Sequence, residues 1–112
     1  MTILPSPGDV VVLLQTGVRV SKHRPAVVVS SDLYHATRPD LILATLTTRI
    51  TATLGPLEYL LLDWRTAGLH YPSMFRPFLS STPIADVPVP VGRLSDRDWA
   101  EVQARLRLAM AV

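Results

Sequence analysis

Four short apolar runs, VVVLLQT (10–16), AVVVSS (26–31), LILATLTT (41–48) and LEYLLLDW (57–64), are each set off by proline, glycine or polar residues. All four are of strand length, and the first three are rich in β-branched residues. Pro5, Pro7 and Gly8 mark a turn before the first. GVRVSKH (17–23) reads as a polar loop, after which Arg24 and Pro25 open the second strand. Proline tolerates the first position of a strand better than its centre, so Pro25 should set where pairing begins. DLYHATRPD (32–40) reads as turn-rich, while Ser73–Phe78 and IADVPVPV (84–91) read as short or irregular strands near an edge. Only the C-terminal segment changes period. Ser95 with Asp98 resembles a capping box, and Trp99, Val102, Leu106 and Met110 recur at helical spacing, which predicts an amphipathic helix over 96–111. Strands without an alternating strand–helix rhythm, closed by one helix, predict a mainly β fold, a small twisted barrel or half-barrel.

A chain of 112 residues has room for one domain, taken here as 1–112. With 48% apolar and 18% charged residues it can form a compact core, and a dimer interface would help bury its surface. There is no cysteine, which excludes disulfides and thiolate chemistry. The opening MTILPSPGDV has no signal-peptide pattern, and runs such as Val10–Leu14 are too short to cross a bilayer, so the expected location is cytoplasmic with no membrane role. A net charge of +2 does not by itself identify a nucleic-acid binder. Its distribution is more informative: before residue 39, Arg19, Lys22, Arg24 and Arg38 face only Asp9 and Asp32. Ten of the eleven basic residues are arginine, which fits either base composition or forked phosphate contacts.

Three polar spots stand out: Lys22-His23-Arg24, then Thr45, Thr47 and Thr48 with Arg49, then Ser73 with Arg76. Thr45 and Thr47 share one face of a strand and Thr48 the other. If the second and third strands are neighbours, Arg24 and Thr47 meet near one end, offering a guanidinium and a hydroxyl to one tetrahedral anion. β-branching alone favours threonine in strands, and Ser73 after a proline also fits plain turn chemistry. His35 and His70 lie in other loops, and no His/Asp/Glu spacing suggests a metal site. The residues themselves lead to a β-rich domain with an anion site.

GDVVVL (8–13), HRPAVVVSSD (23–32), LILATLTT (41–48), GLHYPSMF (68–75) and VGRLS (91–95) before a terminal helix occur in the order seen in the MazF/PemK toxins. The chain resembles that family along nearly its whole length. The resemblance implies an SH3-like small barrel (CcdB/MazF-type) with a C-terminal helix, a homodimer, and a cognate antitoxin as partner. It also implies a metal-independent endoribonuclease that cuts single-stranded RNA with no cofactor. By resemblance the catalytic arginine falls on Arg24, the strand-three threonine on Thr47 and the serine on Ser73; Ser73, His23, Lys22, Arg19, Thr48 and Arg49 are expected to bind substrate. Phe78-Leu79 stand where Glu-Gln is common in the family, and the first loop carries Arg19 near where an acid is usual. Two alternatives remain: a CcdB-like gyrase-binding toxin, which relies on an exposed tryptophan near its end, and a silent RNA- or antitoxin-binding module.

Overall fold

The computed structural model describes residues 4–16, 21–51 and 53–112. Strands β1 (Asp9–Thr16), β2 (Ser21–Val28), β3 (Asp40–Thr47), β4 (Tyr59–Leu60), β5 (Met74–Pro83) and β6 (Gly92–Arg93) form one antiparallel sheet. Its order is β4-β5-β3-β2-β1-β6, a curled half-barrel. Helix α1 (Asp32–Thr37) bridges β2 and β3, and helix α2 (Asp96–Ala109) follows β6.

Strand alternation sorts the apolar residues onto two faces. Val10, Val27, Ala44, Leu46 and Phe75 form one core with Leu61, Ala67, Leu94 and Val102; Trp99 and Leu106 of α2 pack against it. Val11, Ala26, Val28, Leu41 and Leu43 form a second core on the other face, beneath Ile84 and Val87. Both faces of β1–β3 are therefore covered, which explains why their runs read as continuously apolar rather than alternating.

The strand limits differ from the sequence expectation in instructive places. β2 begins at Ser21, so residues 21–23 of the expected loop are strand, and Pro25 sits inside it opposite Val12 of β1. On the β3 side pairing does begin beside the proline, with Ala26 opposite Thr45. The expected fourth strand shrinks to Tyr59–Leu60. Its later amides are claimed elsewhere: the Asp98 carboxylate accepts from Leu62 N–H at 3.1 Å and Asp63 N–H at 2.8 Å, which turns the chain out of the ladder. The segment expected to be a short edge strand is instead the ten-residue β5, inside the sheet. Pro77 is accommodated there by a bulge, in which Arg76, Pro77 and Phe78 together oppose Thr45. The 84–91 segment forms a 3-10 turn at Ile84–Asp86 and then runs without regular structure to β6.

Helix α1, unforeseen in a stretch rich in turn formers, is capped by Ser31, whose hydroxyl accepts from Tyr34 N–H at 3.1 Å. Buried His35 anchors it. Ser30 Oγ accepts Ile42 N–H at 3.0 Å and shares a hydrogen bond with His35 Nε2 at 2.5 Å. Helix α2 starts where expected but ends at Ala109, with Met110 of the expected stripe as its C-cap, and only half the capping box forms. Ser95 Oγ accepts Asp98 N–H, while the Asp98 carboxylate turns away to the 59–63 segment.

Candidate functional site

Extending the β2–β3 register two residues past Ala26 and Thr45 sets Arg24 opposite Thr47, on the same face of the sheet as the second core. The ladder between the two strands stops at Ala26, and the parted ends open into a cleft of about 180 Å³ lined by His23, Arg24, Pro25, Leu46, Thr47, Thr48 and Arg49. Five of the eight residues marked as site candidates from the sequence thus meet in one place. Lys22 lies on β2 beside them, opposite Gln15 of β1; its side chain and the whole of Arg19 fall outside the described residues.

The groups in this cleft are held differently. Thr47 is 6% exposed, and its Oγ1 accepts the Arg49 N–H at 3.1 Å, which fixes the backbone as it leaves β3. The Thr47 hydroxyl proton meets no acceptor among the described residues and is available to a ligand oxygen. Arg24, half-buried, has no carboxylate within 4.0 Å among the described residues, and neither has Arg49. By contrast Arg38, Arg93, Arg97 and Arg105 each pair with an acid. A cleft that gathers two guanidiniums without acid partners, an imidazole and a hydroxyl, with no acid among the described residues that line it, has the chemistry to attract an anion.

Ser73 lies in an adjoining cleft of about 390 Å³ with Val12, His23, Pro25, Thr48, Gly68, Leu69, His70, Tyr71 and Val91. It is 1% exposed, and its hydroxyl donates to the Tyr71 carbonyl at 2.9 Å, so it holds the turn that carries Tyr71. His23 and Thr48 wall both clefts, making them one continuous groove. Arg76, grouped with Ser73 in the sequence reading, turns elsewhere and stacks over the Phe78 ring at 4.5 Å. The wall formed by His70 and Tyr71 was not singled out from the sequence, although both fall within the GLHYPSMF stretch.

The position of that wall is set by an interlock of two glycines. Gly68 has φ +83°, and a Cβ there would come within 2.4 Å of the Val91 carbonyl oxygen; a Cβ on Gly92 would come within 2.3 Å of the Ala67 carbonyl oxygen. Neither contact can relax by moving a flexible side chain, since backbone meets backbone. Among the described residues no three His, Cys, Asp or Glu side chains gather as a metal-binding group.

With this geometry in view, comparison with known proteins is informative. Residues 6–110 match the family described as PemK-like, MazF-like toxin of type II toxin–antitoxin system. The fold is similar to that of a MazE–MazF complex from Deinococcus radiodurans, with a TM-score of 0.75 and 21% identity over 99% of each chain. It is also similar to an endoribonuclease solved with its cognate antitoxin from a mycobacterial species, with a TM-score of 0.72 and 15% identity over 94% of this chain and 93% of that one. A Mycobacterium tuberculosis MazF toxin aligns with a TM-score of 0.71 and 16% identity over 90% of this chain and 94% of its own. A search of curated proteins by sequence gives no match. The chain belongs to the PemK-like, MazF-like toxin family of type II toxin–antitoxin systems.

Proposed function

We propose that this chain is an endoribonuclease that cuts single-stranded RNA without a metal, and that Arg24 and Thr47 grip the scissile phosphodiester. The observation that carries the reading is the cleft where these two side chains, with Arg49 and His23, converge with no acid in the lining. In the reaction the ribose 2′-oxygen attacks the adjacent phosphorus and the bond from phosphorus to the 5′-oxygen breaks. The 2′-hydroxyl loses a proton and the 5′-oxygen gains one, leaving a 2′,3′-cyclic phosphate and a 5′-hydroxyl. Negative charge grows on the non-bridging oxygens as the new bond forms, and the Arg24 guanidinium is positioned to stabilise it. Thr47 donates to a phosphate oxygen and orients the attack. A guanidinium is a poor base at neutral pH, so the exposed imidazole of His23 is assigned the auxiliary part in proton movement. Lys22, Arg19, Thr48 and Arg49 belong to the substrate-binding set and Ser73 to its support. The need for a 2′-hydroxyl selects RNA over DNA.

The same reading includes a homodimer, a cognate antitoxin that covers the groove, and action in the cytoplasm as one domain; no helix among the described residues is long and apolar enough to cross a membrane. The gyrase-binding alternative has less support, because Trp99 packs against the core and beside Gly8 instead of presenting its indole.

The test is end-mapping of RNA incubated with the purified protein in chelator. The expected result is cyclic-phosphate and 5′-hydroxyl ends from the wild type and a loss of about 10²–10³-fold in Arg24→Ala, whose melting temperature stays near that of the wild type. Undiminished cleavage by Arg24→Ala would remove the mechanism, and RNA retention without any cleavage would leave a binding module.

A further inference from the structure

The cleft beside Arg24 is chemically unlike the one that faces the phosphate. Val12, Pro25, Leu69 and Val91 give it apolar sides, and His23, Thr48, His70, Tyr71 and Ser73 place polar groups among them, with no carboxylate, arginine or lysine among the described residues that line it. Tyr71 stands at its edge, 68% exposed, and is shared with a third cleft of about 390 Å³ formed with Thr48, Ile50 and Pro72. Its phenol makes no hydrogen bond to any described residue, so packing within the protein does not account for an aromatic ring at this place. The ring is nonetheless firmly carried. Ser73 holds the Tyr71 carbonyl from below, and the Gly68–Gly92 interlock fixes the same segment three residues earlier.

Resting on the proposed function, we infer that Tyr71 is a stacking platform for the nucleobase next to the scissile phosphate, and that the adjoining cleft reads the edge of that base. Thr48 and His23 wall both clefts, so a chain whose phosphate lies on Arg24 and Thr47 continues into this one without leaving the protein surface. The occupant is flat, neutral and polar only at its rim. Those are the properties of a nucleobase, whereas an acidic side chain would find neither arginine nor lysine among the described residues of the lining. Single-strand binders use exposed aromatic rings in this way because every base has a π-face. Thr48 and His70 supply hydrogen-bonding groups at the rim and give the platform its selectivity.

The experiment uses the intact protein and the cleavage site mapped above. An RNA oligonucleotide spanning that site carries a 2′-O-methyl group on the attacking ribose, which prevents cutting, and 2-aminopurine on one side of the scissile phosphate or the other. The fluorescence of 2-aminopurine should fall severalfold on binding at one of the two positions. Tyr71→Ala should abolish that quench and raise KM for cleavable RNA about tenfold, and Tyr71→Phe should preserve both. No quench at either position, or a quench that survives Tyr71→Ala, overturns the inference while leaving the ribonuclease reading intact. Failure of the wild type to cut any RNA overturns both.

Discussion

Two regions of this small fold treat charge in opposite ways. Where α2 meets the 59–63 segment, Asp98, Asp63 and Arg97 are all matched. Asp98 is fully buried yet accepts from Tyr59 Oη at 2.6 Å and from two backbone amides, beside the first turn of a helix, whose dipole favours a negative charge. Asp63 receives both arms of Arg97 at 2.7 Å and the Ser95 hydroxyl at 2.6 Å. In the groove the β2 and β3 ends separate, and Arg24 and Arg49 have no acid within ion-pair distance among the described residues. The first arrangement spends its charges on holding the chain together. The second leaves its guanidiniums without acid partners among the described residues, on a rigid frame.

That contrast can be broken most forcefully at Asp98. Asp98→Ala leaves two amides and a phenol without their acceptor and is expected to cost about 3–5 kcal/mol, read as a lowered urea midpoint. A variant as stable as the wild type would show that the buried carboxylate is not what shapes this region. In the groove the expectation is reversed. Thr47→Val should slow RNA cleavage about tenfold or more, the scale of a hydrogen bond to a charged group, and move the melting temperature by only a few degrees. A large fall in stability with unchanged cleavage would make Thr47 scaffold.

The smallest effect concerns acid. The Arg97 hydrogen bonds, helped by the Ser95 hydroxyl, hold the Asp63 carboxyl down to about 2, below its ordinary value of about 3.9. Its stabilising contribution is therefore present above about pH 4 and is lost as pH falls toward 2. Asp63→Asn should flatten the fall of stability over that window. Asp40, also lowered by Ser81 and Tyr34, keeps its own share of the slope. An unchanged slope would mean that the ion pair seen here contributes nothing in solution.

What could be read from the sequence followed from local chemistry. Ser95 and the stripe through Trp99, Val102 and Leu106 announced α2, because a helix carries its cap and its buried face within a few residues. Arg24 and Thr47 could be brought together because Pro25 and the run 41–48 located two strands that only had to be neighbours. The shortened β4 could not be foreseen, since the acceptor that draws its amides away lies thirty-five residues downstream at Asp98. β5 was underestimated because Pro77 argues against a strand unless the opposite strand yields a bulge, which is a property of the pair. The Tyr71 wall was hidden for a related reason: it takes Gly68 and Gly92, far apart in sequence, to bring it beside His23.

The bulge opposite Thr45 has a consequence for how this chain tolerates change. Three residues of β5 span the space of one on β3, so the far half of β5 is uncoupled in length from the half that pairs with Leu46 and Thr47. The offset is two residues, an even number, so Phe75 and Leu79 keep to the same side of the sheet, whereas one residue added or deleted at Pro77 would turn the far half of β5 over.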